Sequence, residues 1–403
     1  MDRENGKNTQ IHGTKPSESL ESTFLIFAML RILHLDTGND MRGGQWQLLT
    51  LARGLRDKGH CQLIVCPPGS RLEESARREA FETCGLSFRG ARKAPSVFKL
   101  RGLIRGFDII HAHDGHGQTF SWFASSALPV KRIASRRVVF LPRGRFIHRL
   151  KYGRGCHGVI AVSAFVRTLL LQSGIAAGKI QVIPDGIDFP ASLPDPVARA
   201  QARRSFQLDE GDFAIGHAGA FTPEKGQEIA IQAFQLLAGQ IPNARLLLAG
   251  EGGMRRPLAG KYGLGNPQSH IRLTGYLNDL SPFMNSIDLF LMPSLAEGLG
   301  SAALIAMAHG VPVIASRTGG LPEIVEDGET GWLTEPGSPS GLAEKIVAAA
   351  SRPEILRRME AQAREKARGF TNDIMVEKTE RFYQQLIRDA ESREPPAGVL
   401  ARS

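Results

Sequence analysis

The sequence predicts two doubly wound α/β domains joined by a proline-marked linker, and three observations predict it. Short apolar strands alternate with helical stretches along most of the chain, and glycine-rich loops follow several of those strands. A chain of 403 residues with 42% apolar composition is long enough for two cores, each in a domain of about 150–200 residues.

The first domain, residues 31–190, opens with the strand RILHLD at 31–36. It crosses a loop holding Gly43 and Gly44, and a helical stretch at 45–60 leads to CQLIVC at 61–66. Later strands fall at 107–113, 132–139, 158–163 and 179–184. Pro190, Pro194 and Pro196 punctuate the linker. The second domain, residues 191–370, begins with FAIGHAG at 213–219, continues through ARLLLAG and HIRLTG, and reaches DLFLMP at 288–293.

Residues 371–392 read as one amphipathic helix, with Ile374, Val376, Phe382, Tyr383 and Leu386 at packing positions; residues 393–403 read as a flexible tail. At the other end, residues 1–30 read as a disordered extension, with Met29 as an alternative start. Their apolar run FLIFAML has seven residues, too few to span a bilayer, and follows a segment of mixed charge rather than the basic start of a secretory signal. The four cysteines, Cys61, Cys66, Cys84 and Cys156, form no C-x-x-C pair and no zinc spacing, so they read as reduced thiols of a cytoplasmic protein.

The charge is uneven. Residues 31–190 hold 25 basic against 11 acidic residues, whereas residues 191–403 hold 22 against 25. Nine basic residues and no acid lie between Lys131 and Arg154. The first domain therefore faces something negative, with an anionic membrane surface the favoured partner and a solvated basic face the plain alternative. Nucleic acid is disfavoured, because no aromatic-interleaved or helix-in-groove motif accompanies the charge.

The segment 294–310, SLAEGLGSAALIAMAHG, carries the chemistry. Gly298 and Gly300 let the backbone approach a ligand, and the N–H groups of Ser301 and Ala302 open a helix whose dipole favours an anion such as a phosphate. Glu297 is placed to accept hydrogen bonds from hydroxyls, or alternatively only to cap that helix. Gly43 and Gly44 stand in a similar strand-to-helix position, where a structural turn explains them equally well. His111 and His113 lie on one face at a strand end. Their spacing suggests a metal only weakly, since the sole nearby third histidine in sequence is His116.

These segments resemble glycosyltransferase family 4, whose pattern is Glu, seven residues, Glu, then an A-x-G-x-P-V strand; A-H-G-V-P-V occupies residues 308–313 here. The resemblance covers roughly residues 31–390 and implies the GT-B architecture, two Rossmann-like domains across a cleft, with the helix at 371–392 crossing back onto the first domain. It implies a retaining transfer of a sugar from a nucleotide-diphosphate donor to an acceptor, expected to be a lipid-linked or cell-envelope glycan. Within that scheme Glu297 meets the donor sugar, and Ile305 sits where a second acid usually holds the ribose. Lys225 and Gly226 match a G-R-x-x-x-x-K-G loop on the diphosphate, with Ala220 in place of the arginine. The loop of Gly43 and Gly44 faces the cleft near the diphosphate, and Tyr276 and Leu277 mark the base pocket. His113, and secondarily His111, contact the acceptor or the reacting sugar. Arg136, Arg137 and Arg143 are candidates to reach the acceptor or to replace the missing cation. No cofactor and no metal are expected, since no D-x-D motif occurs. A non-catalytic GT-B binding protein and a sugar-nucleotide epimerase of similar architecture are the rival readings.

Overall fold

The computed structural model describes residues 29–139, 145–264, 266 and 269–392. The expected extension at 1–28, Arg143 and the tail from 393 lie outside the described residues. The first domain holds a seven-stranded sheet built from β1 (Arg31–Leu35), β2 (Cys61–Cys66), β3 (Thr83–Gly85), β4 (Ile109–Ala112), β5 (Lys131–Arg136), β6 (Gly158–Ala161) and β7 (Ile180–Val182). Its strand order is β3-β2-β1-β4-β5-β6-β7, with every pairing parallel. The second domain holds β8 (Phe213–Ala218), β9 (Ala244–Ala249), β10 (Ile271–Gly275), β11 (Leu289–Met292), β12 (Val313–Ser316) and β13 (Gly331–Thr334). That sheet is also all parallel, in the order β10-β9-β8-β11-β12-β13. In both sheets the order reverses beside the first strand of the domain, which opens a crevice at the carboxyl ends of the strands.

Parallel strands are covered on both faces, which is why β1, β4, β8 and β11 are almost wholly buried. β5 stops at Arg136, three residues short of the expected end, because Arg137 leaves the sheet to pair with Asp185 at 2.8 Å. β3 and β13 are strands the apolar pattern did not reveal.

The helix Asn372–Glu391 lies on the first domain. Met375, Val376, Phe382 and Tyr383 pack with Leu51, Leu55, Ile109 and Ile133 in one buried cluster. Each such side chain contributes on the order of 1.5–3 kcal/mol on burial. The approach is close because two small residues allow it: a Cβ at Gly54 would lie 2.4 Å from Val376, and one at Gly158 would lie 2.5 Å from Phe382. Glu380 anchors the same helix through His60 (3.0 Å) and Lys58 (2.8 Å).

Candidate functional site

The carboxyl ends of the two sheets meet at a seam. A Cβ at Gly298 would lie 2.0 Å from the Arg137 carbonyl oxygen, so the E-G-x-G loop of the second domain touches the strand end of β5 directly. Glu323 of the second domain accepts from the backbone N–H groups of Ala164 (2.8 Å) and Phe165 (2.7 Å), at the start of the first-domain helix Ala164–Gln172. Trp46 donates its indole N–H to the Tyr276 hydroxyl at 3.0 Å, and the Arg71 guanidinium lies 5.5 Å from the centre of the Tyr276 ring. Tyr276, expected in a base pocket, thus has its ring and hydroxyl engaged across the seam by the first domain.

On the second-domain side, Lys225 Nζ lies 2.6 Å from Glu297 Oε2, and Ser294 donates to the same oxygen at 3.3 Å. Both charged side chains are mostly buried, at 24% and 11% exposure. Gly319, at φ +59°, lets a loop press against Glu297; a Cβ there would lie 1.8 Å from the Glu297 carbonyl oxygen. Behind the E-G-x-G loop the helix Ser301–Ala308 begins at Gly300, at φ +105°, and it ends as expected before Gly310. Ile305 and Ala302 are half-buried against the large apolar cluster that also takes up Leu277. His217, at the end of β8, is neutral: burial pulls it down to about 4, and its Nδ1 meets the Leu291 carbonyl at 2.9 Å. The loop at Ala220 is held from within by Gln227, whose side chain donates to the Ala220 carbonyl at 2.9 Å.

On the first-domain side, Gly43 and Gly44 are the first residues of the helix Gly43–Asp57. Gln45 then stitches the loop, accepting from the Arg42 N–H (3.1 Å) and donating to Asp36 Oδ1 (3.0 Å). Asp36 is almost wholly buried, and burial together with the nearby Asp114 raises its carboxyl to about 6. Asp114 caps the helix Gly115–Ala124 and binds the Thr37 hydroxyl at 2.9 Å. Arg137 lies at the seam with its Nε on Asp185, and Arg136 is buried with its guanidinium 5.9 Å from the centre of the Tyr152 ring.

His111 and His113 are joined by His34 of β1, a third histidine invisible in sequence spacing; His116 is exposed at the start of its helix instead. One nitrogen of each of the three buried rings lies within 4.8 Å of the others, a spacing compatible with a shared metal. Ring nitrogens of all three are also engaged in hydrogen bonds: His34 Nδ1 meets His113 Nε2 at 3.1 Å, and His111 meets the Tyr383 hydroxyl at 2.6 Å and Ser135 at 2.8 Å. Burial lowers all three, His34 to about 4.

Comparison with known proteins gives this geometry a family. Residues 41–189 match the family described as "Glycosyltransferase Family 4", and residues 198–366 match "Glycosyl transferases group 1". An uncharacterized glycosyltransferase of Methanocaldococcus jannaschii is 33% identical over 317 residues, which is 74% of this chain and 82% of the relative. The chain belongs to glycosyltransferase family 4. A second relative of this glycosyltransferase is the GDP-mannose-dependent alpha-(1-6)-phosphatidylinositol monomannoside mannosyltransferase of Mycobacterium tuberculosis, 29% identical over 308 residues, covering 73% of this chain and 74% of that one. Among solved structures, Anabaena Alr3699/HepE in complex with UDP-glucose superposes with a TM-score of 0.78 over 90% of this chain and 100% of that chain, at 23% identity. The fold is therefore GT-B, as the motifs implied. Among the described residues, no helix of the glycosyltransferase is long and apolar enough to cross a membrane.

Proposed function

We propose that the protein is a retaining glycosyltransferase that moves a sugar from a nucleotide-diphosphate donor to a cell-envelope or lipid-linked glycan. The observation that carries this reading is the Lys225–Glu297 pair, held at 2.6 Å where the E-G-x-G loop meets the strand ends of the other domain. Glu297 accepts hydrogen bonds from the donor sugar, with Gly298 and Gly300 shaping the loop around it. Lys225 and the N–H groups of Ser301 and Ala302 receive the diphosphate, so the lysine exchanges its carboxylate for phosphate oxygens as the donor enters. In this reading Lys225 and the amides stabilise the leaving diphosphate without a metal. Ile305 and Leu277 offer an apolar wall to the nucleoside. The relatives' printed names support the envelope assignment: one acts on a phosphatidylinositol monomannoside, and another, from Staphylococcus aureus, is a capsular polysaccharide biosynthesis enzyme.

Membrane association is part of the same proposal, with a different surface from the one the basic run 131–154 suggested. Arg132, Arg136, Arg137 and Lys151 are taken up inside the fold by carbonyl oxygens, an aromatic ring or Asp185. The segment 86–106 instead carries Arg89, Arg92, Lys93, Lys99 and Arg105 with no acid, while its sixth cation, Arg101, is held by the Ala124 and Ser126 carbonyls. On its helix Lys93–Ile104, Phe98 is 75% exposed beside Lys99. Cations around an exposed aromatic ring suit an anionic leaflet.

Donor turnover with UDP-, GDP- and ADP-sugars, compared with Glu297→Ala, tests the enzyme reading. Loss of turnover in the variant is expected; equal turnover and donor binding in the two proteins would overturn the role of Glu297, and donor binding without turnover in either would favour a non-catalytic binding protein.

A further inference from the structure

The first domain buries three imidazoles on one face of its sheet. His34 of β1 pairs in register with His111 of β4, and His113 follows two residues on, so all three side chains project from the same side. His34 and His111 are fully buried and His113 nearly so. Packing a sheet against a helix asks for no polar rings there, since each buried polar atom must then find a partner. The hydrogen bonds show instead that each ring has a lone pair to offer. Gln62 Nε2 donates to the Ala52 carbonyl at 2.8 Å, which turns its own carbonyl oxygen toward His34 Nε2 at 2.9 Å. That oxygen only accepts, so His34 carries its proton on Nε2 and a lone pair on Nδ1. His34 Nδ1 lies 3.1 Å from His113 Nε2, close to the separation of about 3.3 Å kept by two nitrogens bound at roughly 2.0–2.1 Å to one tetrahedral ion. His111 meets two hydroxyls, those of Tyr383 and Ser135. A hydroxyl gives or takes a proton, so either nitrogen of that ring is able to hold the lone pair.

Two atoms on the same face point the same way. His113 Nδ1 and Asp36 Oδ2 are buried and have no hydrogen-bond partner among the described residues. Asp36 and His113 directly follow the register pair Leu35 and Ala112, which puts them level on adjacent strands. Without an ion, His113 keeps its proton on Nε2 to donate to His34, so Nδ1 and the carboxylate oxygen are two acceptors with no proton between them. With an ion on Nε2, that proton moves to Nδ1 of the same ring, where Asp36 Oδ2 is level with it as an acceptor. A carboxylate behind a metal-bound histidine fixes its tautomer and orientation, and Gln62 serves His34 in the same way.

We propose that His34, His111 and His113 bind one divalent ion of the zinc class, which ties β1 to β4 in the core of the first domain. Three imidazoles suit zinc, whereas magnesium and calcium take oxygen ligands. Burial holds the rings neutral, so each has its lone pair free of a competing proton. The charge balance allows the ion as well. Asp36 stands beside the group, and the nearby Arg137 guanidinium, which opposes a cation, is taken up by Asp185 at 2.8 Å. The role of the ion is structural. It lies in the first domain, whereas Lys225 and Glu297 belong to the second, so it is no substitute for the diphosphate-bound metal of a D-x-D motif. Asp36 and Gln62 are positioning residues that act through His113 and His34.

The test uses the full chain without an affinity tag, stripped with a chelator and titrated with zinc sulfate by calorimetry, with cobalt as a spectroscopic probe and magnesium as the control. One zinc per chain is expected, with the visible absorption of a tetrahedral cobalt site. The melting temperature should rise by about 5–10 °C at a hundredfold excess over Kd, and magnesium should move none of these readouts. His34→Gln should abolish binding. Gln62→Leu and Asp36→Asn keep all three ligands, so they hold the test open if the histidine variant does not fold, and each is expected to weaken zinc about tenfold to a hundredfold. No zinc on the wild-type chain, a stoichiometric site that survives His34→Gln, an octahedral cobalt spectrum, or unchanged affinity in both Gln62→Leu and Asp36→Asn would each overturn the assignment and leave the rings as a hydrogen-bonded cluster. Zinc that binds without raising the melting temperature would overturn the structural role.

Discussion

The two sides of the seam treat their polar groups in opposite ways. On the second-domain side, Lys225 and Glu297 satisfy each other at 2.6 Å. On the first-domain side, Asp36, His113 and Arg137 each hold a buried atom that has no hydrogen-bond partner among the described residues. A paired site is stable by itself and binds by exchange, so a ligand there must offer both an anion for the lysine and hydroxyls for the carboxylate. An unpaired site is costly by itself and gains whatever a ligand supplies. A donor with a diphosphate next to a sugar matches the first description.

The comparison breaks most visibly at Glu297. Glu297→Ala removes the sugar contact and leaves the Lys225 charge half-buried, and kcat/KM is expected to fall roughly a hundredfold or more in a donor-turnover assay. Lys225→Ala should act mainly on the nucleotide, with donor affinity by calorimetry falling about tenfold to a hundredfold, the range of a charge-assisted hydrogen bond.

Asp36→Asn should raise the stability of the fold near neutral pH. Its carboxyl is raised from 3.8 to about 6 by burial and by Asp114, with Arg137 opposing and Cys66 of β2 also nearby. A raised carboxyl holds its proton longer in the folded chain, so the cost is absent below about pH 4, grows as pH rises, and is complete above about pH 6. The amide is therefore expected to stabilise the fold by about 1–3 kcal/mol near neutral pH and to be almost neutral near pH 4, as read by thermal melts across that range. Equal melting shifts at both ends would show that Asp36 is not a strained acceptor. The smallest effect is expected from Ile305→Glu. If this half-buried position lies beside the ribose, nucleotide affinity rises a few-fold, about one neutral hydrogen bond, and an unchanged or lower affinity counts against that layout.

Most of the fold is legible in the sequence because buried parallel strands announce themselves as apolar runs, as in DLFLMP for β11 and CQLIVC for β2. β3 escapes because three half-buried residues, Thr83, Cys84 and Gly85, carry no periodic signal. At the site, Glu297 and Lys225 stand in recognisable motifs, yet their ion pair spans 72 positions and no local pattern encodes it. His34 is hidden for the same reason: within RILHL it reads as one polar residue of a core strand, and only the β1–β4 register brings it level with His111. Asp36 did leave a signal, a lone acid at the carboxyl end of an apolar strand, which is where ligands meet parallel sheets. Tyr276 shows the limit of motif reading, since its position in the loop after β10 was clear but its partner Trp46, 230 residues away, was not.

Glu323 gives the seam a reporter. Its carboxylate covers the amides of Ala164 and Phe165, the first two residues of a nine-residue first-domain helix. A short helix depends strongly on its terminal groups, so the second domain governs how well this first turn holds. When the domains part, those two amides lose their shield and the turn frays. Their hydrogen-exchange rates therefore count the fraction of time the enzyme stands open, without a substrate, a label or a second structure.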